Sequence, residues 1–275
     1  MQLIFRILNF YIFSNIHVAV GAFCFVKLTL LSVGVHENKT GLFVFFSTIV
    51  SYNFIRFVNI PANKNHVTNW FLKHKYLLII LSFFSGFCCL YFLSVFSWSA
   101  LLVLGPFALL TILYGLPLRN KMKRLRMVPG LKIFVIAFCF AGVTVIFPLI
   151  QNEITMSQNV WLLFLQRFIF VILITIPFDI RDVKSDNKGL KTIPQFFGLK
   201  VAKIIGVFFG IIVVLLEYFY FFKTTSEFII MLSVSVLSVI LLLFSKKEQS
   251  RYYSAFWVES IPIVWYALLL ISLNM

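Results

Sequence analysis

The sequence predicts an all-α, polytopic membrane protein: nine transmembrane helices in a single domain over residues 1–275. Three observations carry that prediction. Hydrophobic residues make up 61% of the chain and charged residues only 12%, against about half and about a quarter in soluble domains. Nine stretches approach the ~20 apolar residues that a helix needs to cross a bilayer. Lys and Arg gather at alternate ends of those stretches. A soluble enzyme, a disordered tail and a nucleic-acid-binding domain are excluded together.

The stretches lie near 8–33, 41–59, 76–96, 99–115, 130–150, 160–178, 201–222, 227–244 and 253–273. The first is too long for the apolar core of a signal peptide (about 7–15 residues), and no small-x-small cleavage site follows it, so it is read as a retained helix. Only Ser97-Trp98-Ser99 separates the third from the fourth. One continuous helix there would overshoot a hydrocarbon core of ~30 Å, so two are predicted.

Orientation follows from the loops. Twenty of the 24 Lys and Arg fall at the N-terminus and in the even-numbered loops; Lys27, Lys39 and Lys223 lie on the other side, and Arg167 is inside span six. The expectation is an integral protein of a bacterial inner membrane, N-terminus cytoplasmic and C-terminus outside. The +15 net charge is thus mainly a topology label, and the expected neighbours are membrane lipids, not nucleic acid. Cys24, Cys88, Cys89 and Cys139 all fall within spans without CxxC spacing, as apolar packing residues do.

Acids are scarce, and all three aspartates occupy one window at the end of span six: Asp179, Asp182 and Asp186. On a continuing helix these offsets put three carboxylates on one face. Such carboxylates repel unless a cation joins them, and Mg²⁺ is commonly held by one or two carboxylates plus substrate phosphates. Lys184, Lys188 and Lys191 alongside suit the remaining phosphate oxygens. The plain alternative is a solvated loop of mixed charge.

The end of span two is related by a shift of 125 residues: Ile55-Arg56-x-Val58 lies on Ile180-Arg181-x-Val183, and the three aspartates face Phe54, Phe57 and Pro61. Span four ends in Tyr114-Gly115-Leu116-Pro117-Leu118-Arg119 with five more basic residues to Lys132. This is either a lipid-headgroup anchor or an electropositive wall for a diphosphate. Within the spans, Arg167 and Glu217 are expected to form an ion pair, their depths agreeing within ~3 Å. Glu259 is read as cavity-facing or snorkelling, and His17 as a hydrogen-bonded packing residue.

The stretch Asp179-x-x-Asp182-x-x-x-Asp186, followed by Gly189-Leu190-Lys191-Thr192-x-Pro194 and Gly198, with Tyr114-x-x-Pro117-Leu118-Arg119, resembles the UbiA superfamily of intramembrane prenyltransferases. The resemblance implies a helical bundle around a central cavity open to the cytoplasm. It implies an isoprenyl diphosphate bound through Mg²⁺ and a prenyl group passed to an aromatic or other lipophilic acceptor. By that match Asp179, Asp182 and Asp186 are the catalytic, metal-bridging carboxylates and Lys191 binds the diphosphate; Lys188, Tyr114 and Arg119 are the further candidates for meeting the substrate. The superfamily's first motif, Asn-Asp-x-x-Asp-x-x-x-Asp, reads Asn53-Phe54-x-x-Phe57-x-x-x-Pro61 here, so only the Asn remains. Asn53 and Arg56 are then expected to contact diphosphate directly. A non-catalytic homologue that binds an isoprenoid or lipid diphosphate is the main rival. A small transporter ranks third, because the outer halves of the spans are too apolar for a polar path.

Overall fold

The structure, a computed structural model, describes residues 2–59, 66–116, 125–221 and 224–273. Among them there is no strand. The helices run as α1 (Gln2–Phe13), α2 (Ile16–Ser32), α3 (Lys39–Val58), α4 (His66–Lys73), α5 (Lys75–Val95) and α6 (Trp98–Gly115). They continue as α7 (Lys132–Gln151), α8 (Gln158–Asp182), α9 (Ile193–Phe196), α10 (Gly198–Phe221), α11 (Thr225–Phe244) and α12 (Tyr253–Leu273). Eight of these are long and apolar enough to cross a membrane, and the bent α1–α2 pair makes a ninth candidate.

That bend corrects the first expected span. Residues 8–33 do not form one helix: the chain turns by 56° between α1 and α2, with Asn15 at φ +69°. Breaking the helix frees backbone groups that need partners, and α3 provides them. Arg56 donates to the Phe13 carbonyl and, at 3.1 Å, to Asn15 Oδ1. Asn15 Nδ2 donates to Asn53 Oδ1 at 2.8 Å, and Asn53 Nδ2 to Ser82 Oγ at 3.0 Å. The break is therefore tied to α3 and, through Ser82, to α5. On α1, Leu3, Ile4, Phe5 and Ile7 are left exposed, which suits a helix lying in a membrane interface.

The division between spans three and four holds. Ser97 caps α6, its Oγ accepting from Ala100 N at 3.3 Å, and its own N–H donates to Gln151 Oε1 at 3.0 Å. Lipid-facing surface is plain on α10, where Ile204, Phe208, Ile211 and Leu215 are exposed at the i, i+4, i+7, i+11 positions of one helical stripe. The opposite behaviour marks α8, the central helix, whose Phe170, Leu173, Ile176 and Ile180 are fully buried.

Three helices carry π turns, at Glu217–Phe221 in α10, Gly142–Ile146 in α7 and Tyr253–Val258 in α12. Such turns often mark functional walls, and those of α7 and α12 border the same cavity. Gly142 is required there: a Cβ on it would lie 2.0 Å from the Phe107 ring.

Candidate active site

The helix that carries the first two aspartates ends at Asp182, so the expected ridge of three carboxylates is not continuous. Asp186 lies past a turn in which its N–H donates to the Asp182 carbonyl at 2.7 Å. A residue from another helix brings it back. Lys132, at the start of α7, places Nζ 2.8 Å from Asp179 Oδ1 and 2.7 Å from Asp186 Oδ2. Asp182 is held separately, its two oxygens accepting from Arg181 Nε at 2.8 Å and Nη2 at 2.9 Å.

The loop after α8 is docked where this arrangement needs it. Gly130 N donates to the Leu190 carbonyl at 2.8 Å and Gln195 Nε2 to the Asp186 carbonyl at 3.3 Å. In the sequence Lys132 is one of a run of topology-setting cations. The only hint of a further role was its place at the edge of an apolar stretch.

Asp179 and Asp182 line a cavity of about 370 Å³ between α2, α3, α6, α7, α8 and α12, together with Tyr52, Tyr114, Arg126, Lys132 and Glu259. The remaining wall is mostly apolar, with Phe25, Phe140 and Phe178 contributing rings. Asp179 is 1% exposed. The Lys132 ammonium meets its Oδ1 at 2.8 Å, and among the described residues Oδ2 receives no hydrogen bond. Buried carboxylate lone pairs left open in this way are costly unless something fills them. With Asp182 one turn on, the donor chemistry fits a hard divalent cation whose other ligands are phosphate oxygens. Among the described residues no three acidic, His or Cys side chains converge as a preformed metal cage.

Glu259 faces this cavity, resolving the two alternatives for it. It follows directly on the π turn of α12. The charges of Arg181 and Arg56 act on its carboxylate, and among the described residues no ion pair or hydrogen bond closes on it. The two arginines aligned by the 125-residue shift thus act electrostatically on one acid. Sequence reasoning missed this because the three residues sit on three separate helices.

The other expected site residues are placed differently. Tyr114 is buried on the cavity wall. Asn53 is fully buried and bonded to Asn15 and Ser82, away from the cavity lining. Arg56 is engaged with the α1–α2 break and stacks on Phe71 at 5.5 Å. Both are therefore structural ties in this conformation, because the break in the first span claims their hydrogen bonds. Lys188 and Lys191 are exposed on the loop beyond the aspartates, Lys191 in a left-handed conformation with φ +45°. Arg119 and Pro61 lie outside the described residues.

Where the first acidic motif is missing, the replacements are packed. The Phe57 ring centroid lies 4.7 Å from that of Phe71, a fully buried residue of α4. Phe54 covers Gly115, where an added Cβ would meet its ring at 3.3 Å. The expected Arg167–Glu217 ion pair does not form. Gln166 donates to Glu217 Oε2 at 2.9 Å, whereas Arg167 donates to the Phe25 carbonyl at 3.0 Å and sits over the Phe25 and Trp265 rings. His17 is a bonded packing residue, 2.9 Å from the Tyr11 hydroxyl and 3.0 Å from the Phe256 carbonyl. The cysteines are all free. Outside the spans, Lys184 pairs with Glu248 and holds that carboxyl below its ordinary value.

A family model described as the UbiA prenyltransferase family matches residues 61–261. Among solved structures, the apo structure of a UbiA homologue from Aeropyrum pernix K1 aligns with a TM-score of 0.65 at 14% identity, covering 95% of this chain and 97% of the other. A UbiA homologue from Archaeoglobus fulgidus aligns at 0.54 and 15%, covering 97% of each chain. A digeranylgeranylglyceryl phosphate synthase structure aligns at 0.55 and 17%, covering 99% of this chain and 97% of the other. No curated protein sequence matches the chain.

Proposed function

The chain belongs to the UbiA prenyltransferase family, and from that premise we propose that it transfers an isoprenyl group from its diphosphate to an aromatic or other lipophilic acceptor. The observation that supports this reading is the polarity of the cavity: one part holds Asp179, Asp182, Lys132 and Arg126, and the remaining wall, apart from Glu259 and a few Ser and Thr, is apolar and ring-lined. An isoprenyl diphosphate has the same division.

In this reading Lys132 and Arg126 meet phosphate oxygens, and Lys188, Lys191 and Arg119 draw the diphosphate in from the loops. Asp179 and Asp182 would hold Mg²⁺, which, when bound, neutralises charge on the leaving diphosphate. Asp186 keeps Lys132 in place from the other side. The allylic C1–O bond breaks with its electron pair leaving on diphosphate. The Phe25, Phe140 and Phe178 faces stabilise the developing cation, each by about 0.5–2 kcal/mol. An electron pair of the acceptor forms the new bond to C1, and the Glu259 carboxylate receives the proton that the acceptor loses. The apolar wall excludes the water that would otherwise trap the cation. We place the aspartate end at the cytoplasmic face, as the loop charges indicate.

The test is incubation of purified protein with isoprenyl diphosphates of several lengths, Mg²⁺ and aromatic acceptors, with prenylated product identified by mass. Product is expected, and it should fall with Asp179→Asn; unchanged turnover in that variant contradicts the proposal. A second reading, binding without turnover, is favoured by the aromatic packing of Phe54 and Phe57 where a second acidic set would stand. It predicts tight retention of the diphosphate and no product with any acceptor.

A further inference from the structure

A second cavity, of about 390 Å³, lies at the other end of α8. Arg167 lies about 18 Å along the helix from Asp179, at ~1.5 Å per residue. The mouth is polar, with Thr155, Ser157 and Asn159, and below it Leu163, Met231 and Leu269 line the wall. Arg167 forms part of this lining although it is only 2% exposed. A guanidinium carries five N–H donors. Arg167 directs one at the Phe25 carbonyl and one at Thr29 Oγ1, at 3.0 and 3.4 Å, and among the described residues no carboxylate pairs with it. A buried cation in a membrane bundle is costly without a counter-charge and marks a functional site by default.

We infer that this cavity binds the phosphate of a phospholipid headgroup, with Arg167 as its anchor. The planar fork of Arg matches phosphate oxygens bidentately, and Trp265 beneath the guanidinium at 5.2 Å fixes its plane. The leucine-lined wall takes the start of an acyl chain, which free phosphate lacks. Glu217 and Glu227 also border the cavity, so an amine-bearing headgroup such as phosphoethanolamine fits better than phosphoglycerol. The inference does not depend on prenyl transfer taking place at the other cavity.

The experiment is native mass spectrometry of the full chain in mild detergent. Phosphatidylethanolamine, phosphatidylglycerol or diacylglycerol is added, with inorganic phosphate as competitor. Phosphatidylethanolamine should be retained most, phosphatidylglycerol less and diacylglycerol not at all, and millimolar phosphate should not displace the lipid. Arg167→Gln should weaken retention at least tenfold. Because that change also removes bonds to Phe25 and Thr29, Leu163→Trp is the control for folding. It fills the cavity, leaves Arg167 in place, and should cause the same loss at an unchanged melting temperature. Equal retention of all three lipids, or normal retention in Leu163→Trp, overturns the inference. Displacement by inorganic phosphate overturns the lipid as the source of the oxyanion.

Discussion

The ends of α3 and α8 are built on the same pattern and put to different uses. Both close a span with Ile-Arg-x-Val, and the two arginines act on one acid, Glu259. On α8 the neighbouring positions hold Asp179 and Asp182, whose charges are compensated by Lys132 and Arg181. On α3 they hold Phe54 and Phe57, packed against Gly115 and Phe71. One end is a polar half-site facing the cavity, and the other is a joint that ties α1, α4 and α6 to the bundle. Positions on α3 that align with Asp179 and Asp182 under the 125-residue shift thus have aromatic packing partners instead of charges.

The largest effect that would break this comparison is expected at Asp179. Asp179→Asn keeps the volume but removes the carboxylate, and activity should fall by ~10²–10³-fold, the scale for removing one preorganised charge-stabilising group. Steady-state product formation reads it, and a loss below threefold would detach Asp179 from the chemistry.

Lys132→Met tests whether one cation serves two acids. It leaves Asp179 buried without its counter-charge, a type of change that costs ~3–5 kcal/mol. The melting temperature should drop steeply, and Lys132→Arg should recover part of it. Equal stability of Lys132→Met and the native chain would show that the Asp179–Lys132–Asp186 bridge contributes nothing.

The α3 end should respond in the opposite sense to a simple repair. Phe54→Asp with Phe57→Asp places two carboxylates in aromatic packing, and each should destabilise by about 2 kcal/mol or more. A gain in prenyl transfer by the double variant would mean that the two ends remain interchangeable. A smaller effect is expected at Gly142→Ala, about 1–3 kcal/mol from overpacking against Phe107, read by thermal unfolding.

The smallest effect belongs to the exposed Lys184–Glu248 pair. Its carboxyl is held below the ordinary value in the fold. Any stabilisation it gives is therefore present above the unfolded-state value and lost as pH falls through the folded one. Full exposure and screening keep this small, so Glu248→Gln should leave the melting temperature unchanged within error at neutral pH.

Much of the fold was legible because a membrane imposes a strong length and polarity rule. Span ends such as Ser97 follow from it directly. The α1–α2 break was not legible, since Ser14-Asn15 has no Pro or Gly to announce it, and its supports, Asn53 and Arg56, lie far along the chain. The same reason hid the site's second half. Asp179 and Asp182 stand out in a chain poor in acids, whereas Lys132 is one of many loop cations and Glu259 an isolated acid in a distant span. Their roles come from tertiary contacts between helices. Arg167 and Glu217 show the complementary error: matching depth is not contact, because Gln166, the neighbouring residue, has the direction that reaches Glu217.

The central claim is that the ends of α8 and α3 differ in kind, and diphosphate release from an isoprenyl diphosphate in the presence of Mg²⁺, compared between Asp179→Asn and Phe57→Leu, tests it most directly. A loss of at least about 100-fold is expected for the first and a change below about threefold for the second, after correction for folded fraction. Equal losses at both ends, or full release by Asp179→Asn, would contradict it.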